Sequence, residues 1–450
     1  MTATEDRLDP VRPSAASGVP FPVTDPHFIP VERYYDRGFF ELEKEKLWAK
    51  TWQMACRLQE IPRPGDFVEY EIVDESILVI RQKDMSVKAV YNACRHRGTQ
   101  LAKGAGRLGG GLIVCPFHGW RWNLDGSINY VYGSEGFPPE CVAPDEVALR
   151  EPLVDTWGGC VWVNMDRGAR PLAEHLAPVA EQLDAIGVGN LQLKYWKEVI
   201  LECNWKVASE AFQEGWHVPA THPQLVGGLD VTQIPQGSTE YTVYENGHSR
   251  FQSPSAGPTR AVDAAAFLGQ ARLLWTGQDA MTIERDLRVF EGIRKRVAPE
   301  ENYAHAAAKA LLEYYDGAGI SYPEGVQNRH LWWAGEIFLF PNFFFLPQWQ
   351  NALSYRFRPY GNDPEKCRAE VWSLTTYPDD EPQPRATLDG RYAKDDKEHW
   401  GQIPMQDFSN IERIQRGLHS RGMTETRLAT QWEATISNMH MELDRYLAAD

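Results

Sequence analysis

From Val31 to Trp52 large apolar residues, among them Phe39, Phe40, Leu42, Leu47 and Trp48, alternate with Glu and Lys at helical spacing. The period then drops to two. Gly65–Ile72, Ile77–Ile80 and Val87–Tyr91 read as strands separated by Asp74-Glu75-Ser76 and Lys83-Asp84. Trp120–Leu124 and Ser127–Tyr130 flank Asp125-Gly126, a strong hairpin signal, and Cys160–Val163 reads as a closing strand. Short strands with turns between them predict a small β domain.

Beyond it the pattern is mixed. Residues 171–186 look helical, Leu191–Leu201 strand-like, and Asn204–Trp216 helical again. Helical stretches (Ala264–Ala266, Ala306–Tyr315) follow, and then a strongly β region: Trp332-Trp333, Ile337–Phe340, Phe343–Phe345, Ala352–Pro359 and Ala369–Thr376. Two helices close the chain, the last with Trp432, Ile436, Met439, Leu443 and Leu447 on one stripe, the mark of a core or interface face. The predicted fold class is α+β. An arm and helix occupy residues 1–48, an all-β domain 49–165, and an α+β domain 166–450, with a helical insertion at about 260–325.

Composition narrows the function classes. With 450 residues, 43% hydrophobic and 24% charged, the chain is an ordinary globular one, long enough for two or three domains. A formal charge of −16 argues against nucleic acid and against anionic membranes. No apolar run is long enough to span a membrane, and Met1–Val23 lacks a basic and an apolar signal region, so a cytoplasmic location is expected. The seven scattered cysteines do not suggest a disulfide framework. Five of them, Cys56, Cys141, Cys160, Cys203 and Cys367, read as small buried hydrophobes.

The other two belong to a motif. Cys94-Arg95-His96 and Cys115-Pro116-Phe117-His118-Gly119-Trp120 set a Cys-x-His pair and a Cys-x2-His pair on either side of an 18-residue loop. A Rieske [2Fe–2S] centre asks for two thiolates on one iron and two imidazoles on the other. A Cys2His2 zinc site uses the same donors but usually keeps like with like, whereas here they alternate. Inside the loop, Gly104–Gly109 matches the dinucleotide fingerprint G-x-G-x-x-G, yet a strand and a ligand Cys follow where a helix should open. Those glycines are read as letting the loop turn tightly.

A second constellation is Glu214-Gly215-Trp216-His217-Val218-Pro219-Ala220-Thr221-His222. Its i, i+3 spacing predicts Glu214 and His217 on one helix face, with Pro219 ending the helix so that His222 folds back. Two His with a distant carboxylate make the triad of non-haem Fe(II) oxygenases. The remaining histidines (His27, His175, His248, His305, His330, His399, His419 and His440) show no ligand spacing.

In these segments the chain resembles the large (alpha) subunits of Rieske non-haem iron ring-hydroxylating oxygenases. The resemblance covers Trp52–Tyr130, Asn204–Gln224, which opens with the family's Asn-Trp-Lys, and, more weakly, Pro404–Leu418. It implies a Rieske domain joined to a helix-grip (START-like) catalytic domain with an antiparallel sheet. It also implies a cluster on Cys94, His96, Cys115 and His118, and Fe(II) on His217, His222 and an Asp ahead of a Glu and a Gln. Asp407, followed by Glu412 and Gln415, fits that pattern, while its rivals Asp395 and Asp396 sit in a charge-rich stretch. Glu214 would bridge His217 to His118 of a neighbouring copy in a homotrimer, or in a trimer with a small beta subunit.

Electrons would come from a reductase, with or without a ferredoxin, and O2 would hydroxylate or cis-dihydroxylate a small aromatic or polycyclic substrate. The aromatic-rich strands (Phe338, Phe340, Phe343, Phe344, Phe345, Trp349) favour an apolar pocket. The alternatives are a monooxygenase acting as demethylase, side-chain hydroxylase or quaternary-amine hydroxylase, and an electron-transfer protein without catalysis. Departures from the family pattern are a slightly long cluster loop, Ala211 where Asn is frequent, Trp216 where Tyr is, and Glu rather than Asp as the bridging acid.

Overall fold

The computed structural model describes residues 18–227, 239–252, 263–298, 300–324 and 335–449. The predicted Trp332-Trp333 strand, His330 and residues 1–17 of the arm lie outside them. The chain divides into two compact units, one of Trp48–His175 with Gln383–Thr387, the other of the remainder. Among the described residues no helix is long and apolar enough to cross a membrane.

The smaller unit is built of short antiparallel sheets. Asp66–Ile72 pairs with Glu75–Arg81 and Ala105–Arg107, and Val87–Tyr91 completes four strands. Leu112–Val114, Arg121–Asn123 and Ile128–Tyr130 make a second sheet; Gln53–Arg57, Leu153–Trp157 and Cys160–Asn164 make a third. The hairpin at Asp125-Gly126 forms as its sequence predicts: Asp125 Oδ1 accepts the Ser127 N–H at 2.9 Å and Gly126 takes φ 86°. The first turn is shorter than expected, because Glu75 and Ser76 pair with Ile72 and Glu71 and leave only Val73-Asp74 to turn. Of the fingerprint-like glycines, Gly106 lies in a strand against the Phe67 ring, and Gly109 opens a 3-10 turn. The core packs Phe67, Leu78, Ile80, Ile113, Trp120 and Trp122 around Cys94 and Cys115.

Among its described residues the larger unit is organised by an eight-stranded sheet. Its order is Glu240–Val243, Ser249–Gln252, Glu336–Leu339, Phe343–Gln348, Asn351–Tyr360, Asp363–Thr375, Gln192–Leu201 and Gly390–Arg391, antiparallel except for the last pair. Residues opposite each other across antiparallel strands share a face. The register therefore puts Tyr241, Phe251, Glu336, Phe338, Phe344 and Tyr355 on one face. Phe343 and Phe345 point the other way, towards Trp372 and the buried Arg356–Glu370 pair. The aromatic run is thus divided by alternation, and only Phe338 and Phe344 of the six expected pocket residues share the site face. Phe340 stacks on Tyr446, and Trp349 belongs to the core of the helical insertion. Among the described residues that insertion has three helices: Ala264–Gln278 and Tyr303–Ala318, N-capped by Asp263 and Asn302, and Glu284–Ile293 between them.

The expected helix Asn204–Trp216 is cut short at Glu210. Asn204 caps it, its Oδ1 accepting the Lys206 N–H at 3.0 Å. A continuing helix would give the His217 N–H to the Gln213 carbonyl. Instead that carbonyl accepts the Thr435 hydroxyl at 2.8 Å, and the Glu214 carboxylate takes the His217 N–H at 2.9 Å. Glu214 and His217 therefore meet across a turn, not along a helix face. Pro219 opens the short helix Val218–Thr221 instead of ending one, a place where its missing N–H costs nothing.

Around this segment lie buried charges. Lys206 Nζ meets Glu43 at 2.7 Å with both side chains fully buried, and Arg33 meets Asp444 at 2.6 Å. Tyr34 donates to Glu210 at 2.8 Å, and His440 Nε2 lies 2.8 Å from the same oxygen. The stripe Ile436, Met439, Leu443, Leu447 of the last helix (Ala434–Ala448) is buried, as its spacing predicts. Of the five cysteines expected inside, Cys141 is exposed, since it sits in a surface 3-10 turn.

Candidate metal centres

The two cluster loops are built alike. Cys94 N–H donates to the Thr99 carbonyl at 2.9 Å, and Cys115 N–H to the Trp120 carbonyl at 2.8 Å. Gly98 N–H returns to the Cys94 carbonyl at 2.9 Å, and Gly119 N–H to that of Cys115 at 3.0 Å. Gly98 and Gly119 take φ 77° and 72° at matching places, a conformation that side chains resist. Each loop is thus a six-residue turn that starts at its Cys and delivers its His to the outer edge.

The donor set suits a two-iron cluster. Cys94 and Cys115 are buried in the core, while the Nδ1 atoms of His96 and His118 face each other at 3.2 Å in a half-buried position. His96 stacks on Trp120 at 5.1 Å, which fixes its plane. Burial pushes the Cys94 thiol up. Burial acts on Cys115 too, but N–H groups of His118 and Phe117 aimed at its sulfur outweigh it, and its thiol is lowered. Such N–H groups favour a thiolate and are among the contacts that tune a cluster's potential.

The second centre gathers residues far apart in sequence. His222 Nε2 lies 2.9 Å and His217 Nε2 3.7 Å from Asp407 Oδ1, and all three donor atoms fall within 4.8 Å. Both opposite ring nitrogens are engaged. His217 Nδ1 meets Glu214 Oε1 at 2.7 Å, and His222 Nδ1 meets Gln406 Oε1 at 2.9 Å. Oxygen acceptors there hold the proton on Nδ1, leaving both Nε2 lone pairs to a metal. Burial works against charging His217, but Glu214 and Asp407 outweigh it and raise its pKa. Three donors from two imidazoles and one carboxylate fit Fe(II) with open positions. Asp395 is exposed, and Asp396 is occupied with His399.

Asp407 is carried by the helix Gln402–Leu418, which is fastened to the Asn204 segment by two residues of the sequence pattern. Glu412 accepts the Glu202 N–H at 3.1 Å, and Gln415 accepts the Asn204 N–H at 3.0 Å. Gln406, and Gln224, which donates to it at 2.8 Å, were missed by sequence reasoning. The only hint was adjacency, since Gln406 precedes the chosen Asp.

The sheet face closes this centre from below. Gly215 lies against the Phe251 ring, its N–H reaching the Tyr241 hydroxyl at 3.3 Å. Phe212 packs on Tyr355 at 4.3 Å and Phe357 at 5.2 Å. Glu336, opposite Phe251, feels both Asp407 and Glu214. Burial, then those two carboxylates, push its carboxyl well above the usual range. On the other side of the turn Trp216 is 46% exposed and packs on Trp432 at 4.9 Å.

Comparison with known proteins matches both parts of the chain to described domains. Residues 51–136 match the model of the Rieske [2Fe-2S] domain, and residues 188–449 that of the ring hydroxylating alpha subunit (catalytic domain). Among curated relatives, the 2-aminobenzenesulfonate 2,3-dioxygenase alpha subunit of Alcaligenes sp is 30% identical over 51% of this chain and 58% of its own length. The carnitine monooxygenase oxygenase subunit of Escherichia coli is 32% identical over 45% and 54%. The chain thus spans less than three fifths of the length of either. An apo quaternary ammonium Rieske monooxygenase shares the fold, with TM-score 0.63 and 20% identity over 94% of this chain and 96% of that one.

Proposed function

The chain belongs to the family of ring-hydroxylating alpha subunits that carry a Rieske [2Fe–2S] domain, and from that we propose that it is the terminal oxygenase of a multicomponent system. Cys94, His96, Cys115 and His118 would hold the cluster, and His217, His222 and Asp407 would hold Fe(II). Iron bound there supplies the activation of O2. The chain's own residues supply the rest. Glu214 and Gln406 keep the Nδ1 protons of the two imidazoles and fix their planes. Phe251, Phe344 and Tyr355 keep the floor dry and seat an apolar substrate.

The reading is carried by one observation: two imidazoles and one carboxylate converge, each imidazole held from behind by an oxygen. An electron carrier would have no use for that arrangement. Glu214, on a turn beside an exposed Trp, is suited to link His217 to His118 of the partner subunit in a homotrimer, with or without a small beta subunit. Reductase or ferredoxin would deliver electrons at the half-buried edge of His96 and His118, and a cytoplasmic setting suits the thiolates.

Aromatic floor residues favour hydroxylation or cis-dihydroxylation of a ring. A second reading, monooxygenation of an amine or a side chain, is favoured by Glu336 among those rings. Metal analysis tests the first step: about three irons per chain for the oxygenase, about two for a carrier. Turnover under labelled O2 then separates the chemistries. Two labelled atoms in the product mark dihydroxylation, one marks monooxygenation.

A further inference from the structure

A buried carboxyl normally has a partner, because an unpaired one in a protein interior is expensive. This chain follows the rule almost throughout. Glu43 has Lys206, Glu370 has Arg356, Asp444 has Arg33 and Asp286 has Arg285. Glu336 breaks it. It is 6% exposed, its Oε1 is buried without a hydrogen-bond partner, and among the described residues it forms no ion pair.

Its place in the fold says where it points. The Glu336–Leu339 strand runs beside Ser249–Gln252 with Glu336 opposite Phe251, whose ring lies under Gly215 of the Glu214–His217 turn. Tyr241, across from Phe251, has its ring centroid 5.7 Å away. Glu336 also lies within electrostatic reach of Asp407 and Tyr355. An unpaired acid therefore sits among π faces beside the metal cage. Carboxylate and ring faces together attract one ligand chemistry, a weakly hydrated organic cation.

We propose that Glu336 is the specificity-determining residue of this site, pairing with the positively charged nitrogen of an organic ammonium substrate whose apolar body rests on the Phe251 and Tyr355 side of the sheet. The assignment rests on the oxygenase reading and goes beyond it by giving the substrate a charge. A neutral ring substrate would leave the carboxyl unpaired in its complex; an ammonium group gives it the partner it lacks.

The test is calorimetric titration of the cluster- and iron-loaded protein with two matched pairs. These are choline against 3,3-dimethylbutan-1-ol, and benzyltrimethylammonium against neopentylbenzene, its uncharged carbon isostere. In at least one pair the cation is expected to bind about tenfold or more tightly than its isostere. Glu336→Gln should erase that preference while keeping iron content and visible absorption, and Glu336→Asp, which keeps the charge, should retain it. Absence of a cation preference in both pairs, or a preference that survives in Glu336→Gln, overturns the proposal. Failure of the oxygenase reading shows separately, as wild-type protein that takes up the cluster but no further iron.

Discussion

The proposed cluster loops and the proposed mononuclear cage would solve the same problem, holding iron, with different parts of the chain. In the loops the ligands are close in sequence, and backbone hydrogen bonds repeat from one loop to the other: Cys94 to Thr99 and Cys115 to Trp120, Gly98 to Cys94 and Gly119 to Cys115. In the cage the proposed ligands come from a turn and a distant helix, and side chains hold them: Glu214 on His217, Gln406 on His222, Gln415 and Glu412 on the Asn204 segment. A backbone-built site is encoded locally. A side-chain-built site depends on tertiary packing, and single substitutions outside the ligands should reach it.

The largest such effect is expected at Glu214. Glu214→Ala should lower steady-state turnover about a hundredfold while both metals stay bound, the upper range for a carboxylate that orients a ligand histidine. Loss of the cluster's visible absorption in that variant would contradict the bridging role, which leaves the cluster itself intact. Next comes Gln406→Ala, which frees the His222 Nδ1 proton; iron affinity should fall about tenfold, read by competition with a chelator, with the cluster untouched. Gly119→Ala reverses the comparison. Its φ of 72° should cost the Rieske unit about 1 kcal/mol in thermal or denaturant unfolding, with iron affinity of the cage unchanged.

The smallest effect is a pH slope. Burial pushes Glu210 up to about 8 from 4.5, and burial followed by Arg33 and Lys206 holds His440 well below 6.5. Between pH 4.5 and about 8 the folded chain keeps a proton on Glu210 that the unfolded chain has lost, so stability falls as pH rises through that window. His440, neutral when folded, opposes this below pH 6.5. The net fall is therefore confined to roughly pH 6.5 to 8. The melting temperature of the wild type should drop across that interval, and Glu210→Gln should flatten the drop. Equal slopes in the two would remove Glu210 as its source.

What could be read from the sequence follows the same division. Cys94, His96, Cys115 and His118 announce themselves by spacing, because each loop is a closed unit whose donors are fixed by nearby residues. His217 and His222 were readable as a pair, but the helix expected beneath them was not there. The Thr435 hydroxyl claims the Gln213 carbonyl, a contact no local pattern contains. Asp407 came from the resemblance, and the structure brings it to the two imidazoles; Gln406 and Gln224 carry no pattern of their own. The aromatic run Phe343–Phe345 looked like one pocket wall, yet strand alternation sends alternate rings to opposite faces. Glu336 is concealed in the same way, at the start of a strand that reads as pure core.

The most direct test of two separately built centres is the iron and acid-labile sulfide content of the wild type and of Asp407→Ala, purified and reconstituted side by side. The wild type should carry about three irons and two sulfides per chain, and the variant about two irons and two sulfides with the same visible spectrum. A variant that keeps all its iron, or that loses the sulfide along with it, would contradict the account.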